Sequence, residues 1–221
     1  MNDRVELDPA EIEGGIYPWL TASLVPRAIA WVASISVDGV DNVAPHSFTT
    51  VAGVDPPTLC FVSVGHKDTL ANVRATGEFV LNIGSAGLLS AMNDSATNFP
   101  GALSEFDEAG LEREPSVCVT PSRVRAAPVA FECRVSGEHE IGNCVMVFGE
   151  VVHLAARHDV LAADGLPDAL ALDPLARLGR AEWSHLGDVF ALPRIRYDDW
   201  VAGQRSDTIR GEAGRRRRRQ T

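Results

Sequence analysis

The chain has 221 residues, of which 45% are hydrophobic, 23% charged and 6% aromatic, the balance of an ordinary soluble globular protein; this excludes disorder for most of its length and leaves room for one large or two small domains. Its formal charge is -10, and because the last ten residues carry five arginines and one glutamate, the preceding 211 stand at -14. An acidic body of this kind argues against nucleic acid as a partner. The uncharged stretch Phe79 to Asn93 is broken by Asn82, Gly84 and Gly87 and is too short to span a bilayer, and the acidic opening Met1 to Gly15 lacks the apolar core of a secretory signal, so a cytoplasmic protein without membrane contact is expected.

Ala28 to Val37 (AIAWVASISV) is β-branched and apolar and closes on Asp38-Gly39, turn chemistry between strands. In Asn42 to Val51, Pro45 confines the run to a sheet edge, a bulge or a bend, so irregular backbone is expected over Pro45 to Ser47. Thr58 to Val64 (TLCFVSV) reads as a buried strand, followed by Gly65-His66-Lys67-Asp68-Thr69 and a short helix through Asn72 to Ala75, with Asp68 as its natural N-cap. Glu78 to Ile83 is another strand, and Leu88 to Met92 a second short helix. The segment from Asn93 to Arg123, rich in Ser, Asn, Pro and acidic residues, reads as a long ordered excursion that serves as a lid or as a dimer contact. Strands return at Val129 to Val135 and Val145 to Leu154, joined by a polar connection over Ser136 to Asn143, and a last one falls at Val189 to Leu192.

Five or six strands with two or three short helices make the chain mainly β. The early connections are too short for parallel crossovers, which favours a Greek-key barrel. The predicted organisation is an N-terminal extension over 1–16, one barrel domain over 17–200 and a flexible Arg-rich tail over 201–221. Cys60, Cys118, Cys133 and Cys144 are scattered without a C-x-x-C spacing, and neither His139-Glu140 nor His153 with His158 makes a credible ligand set, so no metal site is expected.

The sequence has no G-x-S-x-G elbow, no G-x-G-x-x-G after a strand, no Walker A loop and no H-E-x-x-H. What remains is a polar cluster over two strand ends: Asn42, His46, Ser47 and Thr49, then Ser63, Gly65, His66, Lys67, Asp68, Thr69 and Asn72. A strand that ends in glycine and enters a helix presents unpaired N–H groups and a positive dipole end, to which Lys67, the chain's one lysine, adds a cation and Thr69 a hydroxyl. A phosphate-bearing ligand fits this chemistry, and so does a capped helix with solvent-facing polar groups. Asp68 at the same helix start opposes a phosphate unless its carboxylate is turned away.

The order Arg27-Ala28-Ile29-Ala30-Trp31-Val32-Ala33-Ser34, Asn42-Val43-Ala44-Pro45-His46-Ser47-Phe48, Pro56-Pro57, Lys67-Asp68-Thr69 with Asn72, and Gly77-Glu78-Phe79-Val80-Leu81-Asn82 resembles the flavin reductase-like family, the long type related to reductase components of two-component monooxygenases. Phe99 to Phe106, Gly110-Leu111, Glu132-Cys133, Gly149 to His153 and Leu178-Gly179 follow in the same order, so the resemblance runs from about Tyr17 to about Leu192. It implies an FMN-binding split β-barrel, usually a homodimer. By this similarity, the strand Trp31, Val32, Ala33, Ser34 and the segment from His46 to Thr49 would border the isoalloxazine and ribityl chain, while Gly65 to Thr69 and Asn72 would hold the phosphate. A barrel-strand tryptophan is as readily core as cofactor wall, and both readings of Trp31 stay open. The implied activity is NADH- or NADPH-dependent reduction of FMN, with a partner monooxygenase as one destination of the reduced flavin. The alternatives are an FMN-dependent oxidase or oxygenase on a small substrate, and a non-catalytic flavin- or haem-binding module.

Overall fold

The structure is a computed structural model describing residues 3–192 and 194–203, together with the backbone of residues 215 and 216. In chain order it contains α1 (Tyr17–Ser23), β1 (Arg27–Ala28), β2 (Ala30–Ile35), β3 (Asp41–His46), β4 (Thr49–Val54), β5 (Pro57–Val64), α2 (Asp68–Thr76) and β6 (Glu78–Ile83). Then come α3 (Leu89–Asp94), α4 (Glu105–Glu108), β7 (Arg113–Glu114), β8 (Arg123–Val124), β9 (Val129–Ile141) and β10 (Cys144–Ala156). The chain continues through α5 (Ala169–Leu172), β11 (Ala176–Arg177), β12 (Trp183–Ser184), β13 (Val189–Phe190), α6 (Tyr197–Val201) and β14 (Arg215–Arg216). No helix among the described residues is long and apolar enough to cross a membrane.

Seven strands form one antiparallel sheet in the order β3-β2-β6-β9-β10-β5-β4. Its two edges, β3 and β4, are consecutive in sequence and meet at the corner Ser47-Phe48, where the Val62 N–H donates to the Phe48 carbonyl at 2.9 Å. The sheet therefore curls into a split β-barrel, and the mainly β Greek-key expectation holds.

Alternation along β2 explains why AIAWVAS is apolar at nearly every position. Ala30 and Val32 face the barrel interior with Phe61, Phe79, Leu81, Cys133, Val145 and Val147, and α2 closes that core with Leu70 and Val73. Ile29, Trp31 and Ala33 face outward into a second core with Val43, Val80, Met92, Phe106, Leu111 and Val124. A strand buried on both faces reads as a continuous hydrophobic run. The long excursion supplies Phe106 and Leu111 to this second core, and Val124 follows directly at its end, so much of it is a packed outer layer rather than a lid.

One local expectation is met and two are corrected. Pro45 lies within β3, at an edge of the sheet, and the bend begins at Ser47 and continues through Phe48. Proline is tolerated because β3 is an edge: Val43 sends its N–H outward to Glu105, and Pro45, two residues on, faces the same side with no N–H to satisfy. The polar stretch Ser136 to Ile141 is not a connection but the outer half of β9, paired with β10 as far as Ile141↔Cys144 around the two-residue turn Gly142-Asn143. Its side chains are mainly solvent-facing, which removes the apolar signature of a strand while cross-strand hydrogen bonds persist. Arg74 of α2 ties this ribbon to the body through Glu138 at 2.9 Å and Glu140 at 2.7 Å. The strand expected over Val189 to Leu192 shrinks to Val189–Phe190, paired with Arg215–Arg216; the rest of the arginine tail beyond Gly203 lies outside the described residues.

Candidate functional site

The β3–β4 corner, the end of β5 and the start of α2 enclose a cleft of about 640 Å³. Gly65 makes the transition from β5 to α2 with φ 76, a left-handed conformation that suits glycine, and its N–H donates to the Asn143 carbonyl at 2.8 Å. The hydroxyl of Ser63 donates to the Gly65 carbonyl at 2.9 Å, fixing the same turn from within.

The cap of α2 is Lys67, in extended conformation and with no side-chain capping bond; Asp68 is the first helical residue, not the cap. Its carboxylate oxygens instead lie 3.7 Å from where a Cβ on Gly101 would stand. The first N–H groups of α2 thus keep their donor capacity beside the cleft, together with the positive end of the helix dipole and the Lys67 ammonium.

Of the residues singled out from the sequence, Asn42, His46, Ser47, His66, Lys67, Asp68 and Thr69 border this one cleft. The structure does not bring Trp31, Val32, Ala33 and Ser34 to it. Trp31 is fully buried in the outer core and donates its indole N–H to the Ser95 hydroxyl at 2.9 Å, so the core reading of Trp31 holds. Val32 and Ala33 are committed to the two cores on opposite faces of β2. Thr49 bonds the Cys60 carbonyl at 2.7 Å, and Ser63 and Gly65 shape the turn behind the wall.

Ser34 and Asn72 act from behind through a buried network. Asn72 donates its amide to the Ser34 hydroxyl at 3.2 Å, and the Ser34 and Thr69 hydroxyls donate to Asn42 Oδ1 at 3.2 and 2.9 Å. Thr69 in this arrangement has spent its proton on Asn42, so toward the cleft its oxygen accepts. Thr69 thus fixes Asn42, and the donor groups beside the cleft are the Lys67 ammonium and the first N–H groups of α2.

His46 is buried, with 7% of its surface exposed. Its Nδ1 lies 3.2 Å from the Val62 carbonyl, and the ring tilts against Phe61 with centroids 4.9 Å apart. Burial lowers its pKa to about 4, partly offset by the Val62 contact and reinforced by the Lys67 charge. The imidazole is neutral at neutral pH and with Nδ1–H on Val62 it braces the β3–β5 junction; it brings no cation to an anion.

Sequence reasoning missed the far wall, built from Ser95 to Phe99 and Glu105 on the excursion, and the aromatic rim of Phe48 and Tyr17, whose rings meet edge to face at 6.4 Å. The cluster of Ser, Thr and Asn over residues 95–98 was the available signal, but only folding of the excursion onto β3 brings it to the cleft.

These features define a class: a split barrel with an open cleft at its β3–β4 corner, beside a helix N-terminus. Residues 22–174 match the family described as the flavin reductase like domain. The chain is 36% identical over 196 residues to an uncharacterized protein of Deinococcus radiodurans, across 83% of this chain and 86% of that one. Nitrilotriacetate monooxygenase component B from Bacillus cereus superposes with a TM-score of 0.81 at 29% identity, over 87% of this chain and 100% of that one. The 2-nitrobenzoate 2-nitroreductase of Pseudomonas fluorescens gives 0.79 at 27%, over 87% and 98%. The chain belongs to the flavin reductase-like family.

Proposed function

We propose that this protein is an FMN-dependent flavin reductase using NADH or NADPH. The observation that carries the reading is the cleft at the α2 N-terminus, where uncapped N–H groups and Lys67 meet beside the bent β3–β4 corner. The residues present fit FMN: Lys67 and the first amides of α2 suit a phosphate, and the Asn42–Ser47 side of β3 suits the remainder of the ligand. Bound FMN would supply the chemistry that the side chains lack, acceptance of a hydride from a reduced nicotinamide. The chain's own part is binding and orientation. His46 holds the β3–β5 corner as a neutral group, Thr69, Ser34 and Asn72 lock Asn42, and the outer core keeps the excursion wall in place.

A homodimer agrees with the apolar surface left bare: β4 is a sheet edge with Val51 and Val54 exposed, and α1 exposes Trp19 and Leu20. A monooxygenase that consumes the reduced flavin is the partner suggested by the similarity to a monooxygenase component B. A second reading, direct reduction of a small organic acceptor on the flavin, is favoured by the likeness to a nitroreductase.

The deciding experiment loads the protein with FMN and mixes it with NADH or NADPH in a stopped-flow spectrometer. Rapid loss of the yellow absorbance is expected. Tight FMN binding without bleaching would remove the nicotinamide step, and a protein that cannot be loaded with FMN would overturn the flavin reading altogether.

A further inference from the structure

The cleft wall contains a carboxylate for which phosphate binding has no use. Glu105 opens α4, is only 6% exposed, and borders the cleft. Its placement is enforced from three sides. Phe106, the next residue, is fully buried in the outer core. Arg113 grips the residues on either side, donating to Ser104 at 2.9 Å and to Asp107 at 2.7 Å, and at 2.7 Å reaches Asp41 on β3. Its guanidinium also lies 5.0 Å over the Phe106 ring. On β3, the outward Val43 N–H donates to Glu105 Oε2 at 3.3 Å. Burial pushes the Glu105 carboxyl above its ordinary pKa and the nearby Asp68 charge adds to this, while hydrogen bonds from its own backbone, from Val43 and from the Asn42 side chain offset part of the rise.

A carboxylate offers about four acceptor positions and no donor. Val43 and Asn42 leave acceptor capacity toward the cleft, where only an O–H or N–H donor can use it. The opposing charge requirement lies one residue link away, because Asn42 also joins Thr69 at the start of α2, next to Lys67. The cleft therefore selects for two properties in one ligand: an anion at the Lys67 end and a donor-rich, uncharged portion against Glu105. A phosphate ester of a polyhydroxylated chain has both, whereas a carboxylate or a second phosphate at the Glu105 wall would be repelled.

We infer that Glu105 accepts hydroxyl protons from the ribityl chain of the flavin and is the residue by which the cleft selects flavins carrying a polyhydroxylated side chain. The inference rests on the flavin reading above and assigns a specificity determinant within that site.

The test measures binding of FMN, riboflavin and lumiflavin, which lacks the ribityl chain, by quenching of flavin fluorescence on the full chain. The unaltered protein is expected to hold riboflavin roughly tenfold or more tightly than lumiflavin. Glu105→Gln keeps an acceptor for Val43 but loses the charge; it should weaken FMN and riboflavin alike by roughly tenfold and leave lumiflavin unchanged. Equal loss for all three flavins, or no loss for any, would overturn the inference. If Glu105→Gln fails to fold, the riboflavin-to-lumiflavin ratio of the unaltered protein decides, and a ratio near one overturns it. Failure of the unaltered protein to bind FMN would instead overturn the flavin reading, an outcome separate from these.

Discussion

Two side chains in the cleft carry opposite kinds of prediction. Lys67 is exposed, caps α2 with its backbone and leaves its ammonium free of any described ion pair. If it meets the FMN phosphate, Lys67→Ala should weaken FMN by about 1.5–3 kcal/mol, the range of a charge-assisted hydrogen bond, and leave riboflavin nearly unchanged. Paired flavin titrations check this; equal losses would assign Lys67 to the fold. His46 is the reverse case, a buried base held neutral. Its pKa is lowered from 6.5 to about 4 in the fold, so between those values the unfolded chain binds a proton that the native state does not. Stability then falls as pH drops through that window, by on the order of 3 kcal/mol once pH 4 is reached. In His46→Gln, urea titrations at a series of pH values should show a flatter dependence over the same window. An unchanged slope would mean that His46 titrates in the fold as it does in solution.

At the scale of elements, close approach inside the barrel sets the tightest constraint. Gly149 on β10 faces Phe79 on β6 across β9, and a Cβ there would stand 2.3 Å from Phe79 Cζ and 2.9 Å from Cys133 Cβ. Phe79 is fully buried and rests edge-on against Phe61 at 5.2 Å, so its ring has little freedom to withdraw. Gly149→Ala should therefore destabilise by roughly 1–3 kcal/mol, the usual cost of overpacking. A denaturant midpoint equal to that of the unaltered protein would show that the ring can yield. A register shift falls at the same place: Phe148 pairs with Gly137 and Gly149 with Val135, which leaves Ser136 of β9 as the extra residue of a bulge.

For the molecule as a whole, among the described residues the cleft and both cores are built from those between Tyr17 and Trp183. A chain truncated after Gly203 should keep FMN affinity, rate of nicotinamide oxidation and sedimentation behaviour. A several-fold loss in any of these at 0.15 M salt, where exposed charges are screened beyond roughly 8 Å, would bring the tail into the working protein. Most of this architecture can be read from amino-acid order: strand periodicity, the Asp38-Gly39 turn, the glycine at the close of β5 and the cluster around Lys67 are local signals, each written within a few consecutive residues. What required the folded chain was every decision about sides. Trp31 goes to a core and not to the cleft because the outer face of β2 is covered by an excursion whose own sequence carries little periodicity. Asp68 yields the cap to Lys67, Thr69 turns its proton to Asn42, and Glu105 enters the wall because Arg113 and Phe106 pin α4 against β3. Those outcomes depend on contacts between residues distant in sequence, and local chemistry is the same for either choice until the barrel closes and burial selects one.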